Sequence, residues 1–426
     1  MSPHPEPAPG LSGGAPRSVA VVGAGMVGLA TAWFLQESGA EVTVYERDRV
    51  AAGASWGNAG WLTPSLTAPL PEPAVLRYGV RAVLSPRSPV YLPLRADRSL
   101  LRFLATFVRH STGRQWRRGM HAYAPLNERA LEAFDVLGAG GVTAPTRRAD
   151  PFLACFRRER DAEALLTELQ AVRDAGQADV VFGPLPGLRA RAAEPVLTEQ
   201  VGAAVQVYGQ RYLHPPEFVR SLAQSVRARG GAVEEGAAVT DLREEPGGVG
   251  VGTTDGGRRH DAVVVATGAW LPELAARFGV RHPVQAGRGY SFSVPVERMP
   301  AGPLYFPQQR VACTPLGSRL RVAGMMEFRR PGDPLDPRRI AAIADAVRPF
   351  LSGVHLDDRR SEWVGSRPCT ADGLPLLGCT ASSRVFVAGG HGMWGIALGP
   401  LTGMLMAQTV LKGEAPVELA PFDPLR

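Results

Sequence analysis

Residues 18 to 46, SVAVVGAGMVGLATAWFLQESGAEVTVYE, set out a β-branched run, three glycines at Gly23, Gly25 and Gly28, an apolar helical stretch, and a second strand ending in Glu46. That order opens a parallel sheet and predicts a binding site for an adenine dinucleotide. Gly23 permits the tight turn out of the strand, Gly25 lets a pyrophosphate approach the backbone, and Gly28 lets helix and sheet pack closely. The helix start then offers unpaired N–H groups and the positive end of its dipole to the phosphates. Glu46 falls 18 residues after Gly28, where its carboxylate can accept both hydroxyls of an adenosine ribose and disfavours a 2′-phosphate. A glycine-rich turn that binds nothing is the structural alternative. Agreement among strand, helix, second strand and acid favours the nucleotide.

With 426 residues, 45% of them hydrophobic, the chain is long enough for two or three domains around a large core. No apolar stretch is long and continuous enough to span a bilayer, and no secretory signal precedes the first strand, so a soluble, cytoplasmic protein is expected. Residues 1–17 are rich in Pro, Gly and Ser and read as a disordered tail. Cys155, Cys313, Cys369 and Cys379 show no metal spacing, nor do the histidines, so a reduced chain without a catalytic metal is expected. The formal charge is +7, carried almost wholly by arginine. Residues 74–118 hold ten arginines from Arg77 to Arg118 against Asp97 alone, interleaved with Leu, Val, Phe, Tyr and Trp. This segment suits either an anionic membrane surface or a solvated helix face. Nucleic acid is not expected, because no recognised nucleic-acid module accompanies the charge.

Further along, VAAGASWGNAGW (residues 50–61) forms a small-residue loop fit to touch a ligand. Apolar periodicity predicts helices at 100–118, 122–137 and 159–175, and another beginning after His214. GAAVTDLREE (236–245) reads as an edge strand. HDAVVVATGAW is a buried strand running into Thr267 and Gly268, which a parallel sheet would bring beside the same dinucleotide. Alternating patterns from 284 to 328 predict an antiparallel sheet. RVFVAGGHGMWGIALGPLTGMLMAQTVL then supplies a second strand, glycine turn and helix far away in sequence.

In this order the motifs GAGMVG with Glu46–Arg47, SWGNAG, VVVATGAW, GRGYSF, GMMEF, SRPCTADGLPLLG and VAGGHGMWGIALGPLTG resemble the flavin-dependent D-amino-acid oxidase superfamily. Within it the similarity is greatest to the bacterial D-amino-acid dehydrogenases, with glycine and sarcosine oxidases as relatives, and it covers Ser18 to Lys412. The resemblance implies an α/β fold: a Rossmann-like FAD-binding domain with a discontinuous α+β substrate domain built on an antiparallel sheet. Its parts would be 18–95, 201–280 and 359–426 for the first domain, and 96–200 and 281–358 for the second.

It also implies FAD rather than NAD. Gly23, Gly25, Met26, Val27, Gly28, Glu46 and Arg47 would hold the ADP half, with Val239 offering its backbone to the adenine and Thr267 and Gly268 beside the dinucleotide. Ala54, Ser55, Asn58, Ala59, Gly60 and Trp61 would line the ribityl and flavin region. The turn through Gly390, His391, Gly392, Met393, Trp394, Gly395 and Ile396 would direct helix N–H groups at the pyrimidine edge. Arg367 would clamp a substrate carboxylate with paired hydrogen bonds, and Tyr290 and His391 would add polar contacts or serve structural roles. The implied reaction moves hydride from Cα of an amino acid to flavin N5, and the imino acid is hydrolysed to a 2-oxo acid and ammonia; no general base is assigned. Quinone, O2 or another carrier would accept the electrons.

Three departures bear on the branch. Met393 stands where glycine and sarcosine oxidases place Arg or Lys. Ala312 replaces a tyrosine of glycine oxidases. Gly365 falls at the covalent flavin cysteine of monomeric sarcosine oxidase, so noncovalent FAD is expected, and Cys369 reads as a buried thiol. Oxidation of D-proline or D-hydroxyproline, or a biosynthetic amine oxidase, stays open. A flavin monooxygenase lacks its second fingerprint here, and a non-catalytic flavoprotein is the remaining alternative.

Overall fold

The computed structural model describes residues 14–73, 88–92 and 97–426. Residues 1–13 of the tail expected over 1–17, and Arg77, Arg81, Arg87 and Arg95 of the arginine-rich stretch, lie outside them.

A six-stranded sheet is organised by the opening unit. Strands Ser18–Val22 and Glu41–Glu46 pair in parallel, with helix Met26–Glu37 between them. Ala262–Val265 joins the other side of the first strand, followed by Val385–Gly389, both in parallel. Their Val-rich composition suits strands covered on both faces. Ala232–Glu235 forms one edge and Leu376–Cys379, antiparallel, the other. The Ala232–Glu235 edge was not read from the sequence, being short and half exposed. GAAVTDLREE supplies Val239–Glu245, the edge of a separate three-stranded antiparallel sheet.

Helix Gly399–Lys412 packs across the first helix at unusually close range. A Cβ at Gly403 would lie 2.5 Å from the Ala30 carbonyl carbon, and one at Gly399 would lie 2.5 Å from Met26 Cγ. The two helices therefore begin side by side. Helix Pro215–Ala228 covers the same core, and Trp33 Nε1 reaches Ser225 Oγ at 3.0 Å.

The second large element is a nine-stranded sheet. Arg360–Thr370 forms one edge, followed by Val284–Val294 and Arg319–Phe328, all antiparallel. Val311–Leu316 and Leu304–Phe306 extend it, followed by Phe152–Phe156, Ala203–Val207 and Phe182–Pro186, and Val90–Tyr91 pairs in parallel with the end of Arg319–Phe328. The expected helix over 100–118 is broken: Arg98–His110 ends at Ser111, and Gly113–Ala139 begins anew. Thr112 accounts for the break, its hydroxyl capping Gln115 N–H at 3.3 Å. Helices Glu159–Asp174 and Pro215–Ala228 match the periodicity.

Candidate active site

At the end of the first strand Gly23 has φ +112°, and a Cβ there would sit 2.6 Å from the Ala266 carbonyl oxygen. Gly28 lies directly on the Gly23 carbonyl, leaving no room for a side chain. Gly25 is the N-cap and offers no side-chain cap; Ser55 Oγ accepts from Met26 N–H at 3.2 Å instead. The small-residue loop is thereby tied across a helix start, the natural seat for a phosphate.

Glu46 Oε2 accepts from Ala24 N–H at 2.8 Å and Oε1 from Asp48 N–H at 3.0 Å. Each oxygen keeps a further lone pair for a hydroxyl. Arg47 stacks on Trp270 of ATGAW, 3.6 Å from the ring centroid. Gly268 has φ +59°, and the neighbouring Thr267 hydroxyl is buried with no partner among the described residues. Val239 begins its strand at an irregular pairing with Thr253.

The large sheet turns one face toward the same loop. Ser291 Oγ donates to the Gly57 carbonyl at 2.8 Å, and Trp61 Nε1 donates to Thr314 Oγ1 at 2.9 Å. Trp61 also meets Phe152 and Tyr305 edge to face. Asn58 Oδ1 accepts from Gly60 N–H at 2.9 Å and closes the loop, in which Ala54 and Ala59 are half-buried. Antiparallel register sets Arg367 opposite Gly287, Gly365 opposite Gly289 and Trp363 opposite Ser291. Directly opposed residues share a face, so these six line one surface.

The glycines there are spatial requirements. A Cβ at Gly289 would overlap the Arg367 guanidinium, and one at Gly365 or Gly57 would overlap the Trp363 indole. Arg367 Nη1 donates to the Met325 carbonyl at 2.7 Å and lies 3.9 Å from Met326 Sδ. Its side chain is enclosed by protein yet keeps accessible surface, as a group lining an internal crevice does. Burial lowers its pKa, opposed only by the Cys369 thiol, whose own pKa burial raises to about 12. Among the described residues no carboxylate pairs with Arg367. A guanidinium so enclosed is a receptor for an anion.

The carboxy-terminal turn is stitched to the Arg367 strand. His391 bridges to Cys369, and Gly392 N–H donates to the Pro368 carbonyl at 2.8 Å. Gly390 and Gly392 take φ of +76° and +54°. Leu70, Thr370, Gly390, His391, Met393 and Trp394 line a crevice here, and the Thr370 hydroxyl is a second buried group without a partner. His391 is 2% exposed. Its Nε2 meets Thr402 Oγ1 at 2.9 Å, and burial pushes its pKa down to about 4, leaving a neutral imidazole at neutral pH.

Two expectations are corrected by this geometry. Tyr290 does not join Arg367: successive residues of a strand face opposite ways, and Tyr290 pairs with Val364, between Gly365 and Trp363. It is fully buried in the core on the far side, its hydroxyl donating to Glu327 Oε2 at 2.6 Å. The carboxy-terminal helix begins at Gly399, beyond Ile396. Residues 391–396 are therefore a loop, with Gly395 within it and Ile396 turned into the main core. Met26 likewise brings its backbone to the helix start while its side chain is 1% exposed; Val27 is half-buried beside it.

Several residues of the site were not singled out from sequence. Trp363 precedes Arg367 by four residues, an even spacing that marks one face of a strand. Glu327 and Met325 lie within GMMEF, and Thr370 directly follows Cys369.

A family model described as FAD dependent oxidoreductase matches residues 18–409. A protein of Cereibacter sphaeroides named D-amino acid dehydrogenase is 31% identical over 409 residues, spanning 93% of this chain and 92% of its own. A protein of the same name from Rhizorhabdus wittichii is 29% identical, spanning 93% and 97%. Among solved structures, glycine oxidase from Geobacillus kaustophilus superposes with a TM-score of 0.72 at 24% identity, covering 96% of this chain and 98% of that one. L-proline dehydrogenase from P. horikoshii gives 0.70 at 16%, covering 97% and 98%. These likenesses bear out the α/β fold expected from sequence. The nucleotide fingerprint fits FAD, with the Thr267 hydroxyl buried and without a partner among the described residues, and the chain belongs to the FAD dependent oxidoreductase family.

Proposed function

We propose that the protein is a D-amino-acid dehydrogenase, removing hydride from Cα of an amino acid whose carboxylate is held by Arg367. The observation that carries this reading is the enclosed Arg367 guanidinium, seated on Gly289 with no carboxylate partner among the described residues. Two parallel N–H donors on a carboxylate fix both position and plane, and orientation is most of what such a reaction asks of the protein. FAD, when bound, supplies the hydride acceptor.

The helix start at Met26, with Glu46, would hold its ADP half, and the loop from Ala54 to Trp61 its middle. Gly365 offers no thiol for a covalent link, so the cofactor is held noncovalently. The neutral His391, engaged with Thr402, keeps positive charge out of the turn. The substrate is taken as the neutral amine, and no side chain is assigned to remove its proton.

The electron acceptor in this reading is linked to a membrane surface. Helix Arg98–His110 exposes Leu101 and Val108 at 59% and 52%, flanked by Arg98, Arg102 and Arg109, which form no ion pair among the described residues. No described helix is long and apolar enough to cross a membrane.

Anaerobic mixing of the holoenzyme with D- and L-amino acids, D-proline and D-hydroxyproline tests the proposal. Bleaching of the flavin by D-amino acids is expected. Absence of bleaching by every small amine carrying a carboxylate overturns it.

A further inference from the structure

We propose that Tyr290 and Glu327 are positioning residues for Arg367, acting through a bulge in the backbone at Met325; this rests on the reading that Arg367 binds the substrate carboxylate. Arg288 pairs with Glu327 and Tyr290 with Gly324, so Met325 and Met326 together oppose Gly289 alone. That is a β-bulge, the device by which a strand re-aims one of its groups. Met325 adopts φ +69°, a left-handed conformation unfavourable for a residue with a side chain, and one that persists only where the surroundings hold it. The carbonyl turned out of the ladder is the one that accepts from Arg367 Nη1 at 2.7 Å.

What holds the bulge lies on the opposite face of the sheet. Glu327 Oε2 accepts from Tyr290 OH at 2.6 Å and from Arg288 Nη1 at 3.2 Å. Its Oε1 accepts from Arg339 Nη2 at 3.5 Å and lies 3.0 Å from Arg329 Nε. Tyr290, Arg288, Glu327 and Arg339 are each no more than 1% exposed. Arg288 Nη2 also donates to the carbonyls of Asp333 and Pro334, fixing the chain that follows the strand. Arg339 Nη1 donates to the Ser88 carbonyl and lies 4.0 Å from Met325 Sδ, which ties the cluster to the bulged residue itself. On the other flank Met326 N–H donates to the Pro89 carbonyl at 2.7 Å.

One buried carboxylate thus gathers three arginines and a phenol two residues beyond Met325. Weakening this anchor lets the strand relax toward a regular ladder, turning the Met325 carbonyl away from Arg367. Neither Tyr290 nor Glu327 touches the crevice. Their effect reaches the substrate only through the backbone.

Acetate and benzoate serve as carboxylate probes, titrated into FAD-loaded protein while the flavin absorbance is followed. Tyr290→Phe, which removes a single hydroxyl, is expected to raise both dissociation constants about fivefold or more, a hydrogen bond to a charged group being at stake. Flavin content should stay at the parent value, and KM for the substrate should rise more than kcat falls. Adding Met325→Gly should restore binding, because glycine holds a positive φ without support. Met325→Val, β-branched and disfavoured at positive φ, should reproduce the loss while leaving the bonds among Glu327, Tyr290 and Arg288 in place, and serves if Tyr290→Phe does not fold. The proposal is overturned if Tyr290→Phe and Met325→Val leave the constants within about twofold of the parent while Arg367→Lys weakens binding at least tenfold. It is equally overturned if Met325→Gly restores nothing in the Tyr290→Phe background. If Arg367→Lys itself leaves carboxylate binding unchanged, the underlying reading of Arg367 fails and this inference fails with it.

Discussion

Arg367 rests its guanidinium on the bare backbone of Gly289, with Gly365 opposite on the neighbouring strand. The cation can lie against the sheet because Gly289 carries no side chain, while the bare Gly365 makes room for the Trp363 indole beside it. Gly289→Ala is therefore expected to displace the guanidinium and raise KM. Arg367→Lys keeps the charge but loses the planar pair of donors, and should lower kcat/KM by about 100-fold or more. Steady-state kinetics with the amino acid that bleaches the flavin fastest checks both, and FAD content should be unchanged in either variant.

Cofactor retention is controlled at the opposite end. Gly23→Ala must place a methyl 2.6 Å from the Ala266 carbonyl oxygen at φ +112°, a strain on the order of 1–3 kcal/mol. The purified variant is expected to carry markedly less FAD per chain, read from the ratio of flavin to protein absorbance. Full flavin occupancy would show that this turn does not seat the dinucleotide.

Stability should fall in mild acid on account of His391. Its folded pKa, near 4, lies below its unfolded value, so the unfolded chain binds more protons between these two values. The stabilisation is whole above about pH 6.5 and is lost as pH drops toward 4. His391→Gln should flatten the dependence of Tm on pH in that window. A variant whose acid profile matches the parent's assigns the loss to other groups.

Glu168 predicts the opposite trend. Burial and the nearby Glu72 carboxylate raise its pKa to about 7, partly offset by Arg310. The folded protein then holds the proton more tightly, and stability declines as pH rises from the ordinary carboxylate range through 7. Glu168→Gln should raise Tm by roughly a few degrees at pH 8 and change little at pH 4, as calorimetry at the two pH values can establish.

Exposed Leu101 and Val108, among arginines that form no ion pair with the described residues, predict binding to anionic lipid. Co-sedimentation with phosphatidylglycerol vesicles should exceed that with phosphatidylcholine and fall with added salt, because screening weakens exposed charges. Leu101→Glu should reduce it further. Equal sedimentation with both lipids removes the charge argument.

What sequence made legible was whatever a short segment decides by itself. Gly23, Gly25, Gly28 and Glu46 lie within one strand, helix and strand, and their geometry follows from local order. Arg367 was found from its setting in SRPCTADGLP, although nothing local reveals that it has no acidic partner among the described residues. Tyr290 was misplaced because GRGYSF does not say which alternate residues face the crevice. That parity is set by pairing with strand Arg360–Thr370, in which Val364, the partner of Tyr290, lies 74 residues away in sequence. Glu327 went unread for a related reason: an acid within GMMEF looks solvated until Arg288, Tyr290, Arg329 and Arg339 are brought around it. The break at Ser111–Thr112 and the late helix start at Gly399 are boundary effects, decided by a single cap and by packing on Met26.

Strand Val284–Val294 carries two incompatible chemistries on alternate residues. Pairing it one residue out of step would drive Arg288 and Tyr290 into the crevice and strand Glu327 without its partners, while bare glycine faced the apolar core. Such a slip has no partially working form. The same alternation that divides the strand between two tasks therefore acts as a proofreader of its assembly, rejecting misaligned sheets before a cofactor or substrate is ever present.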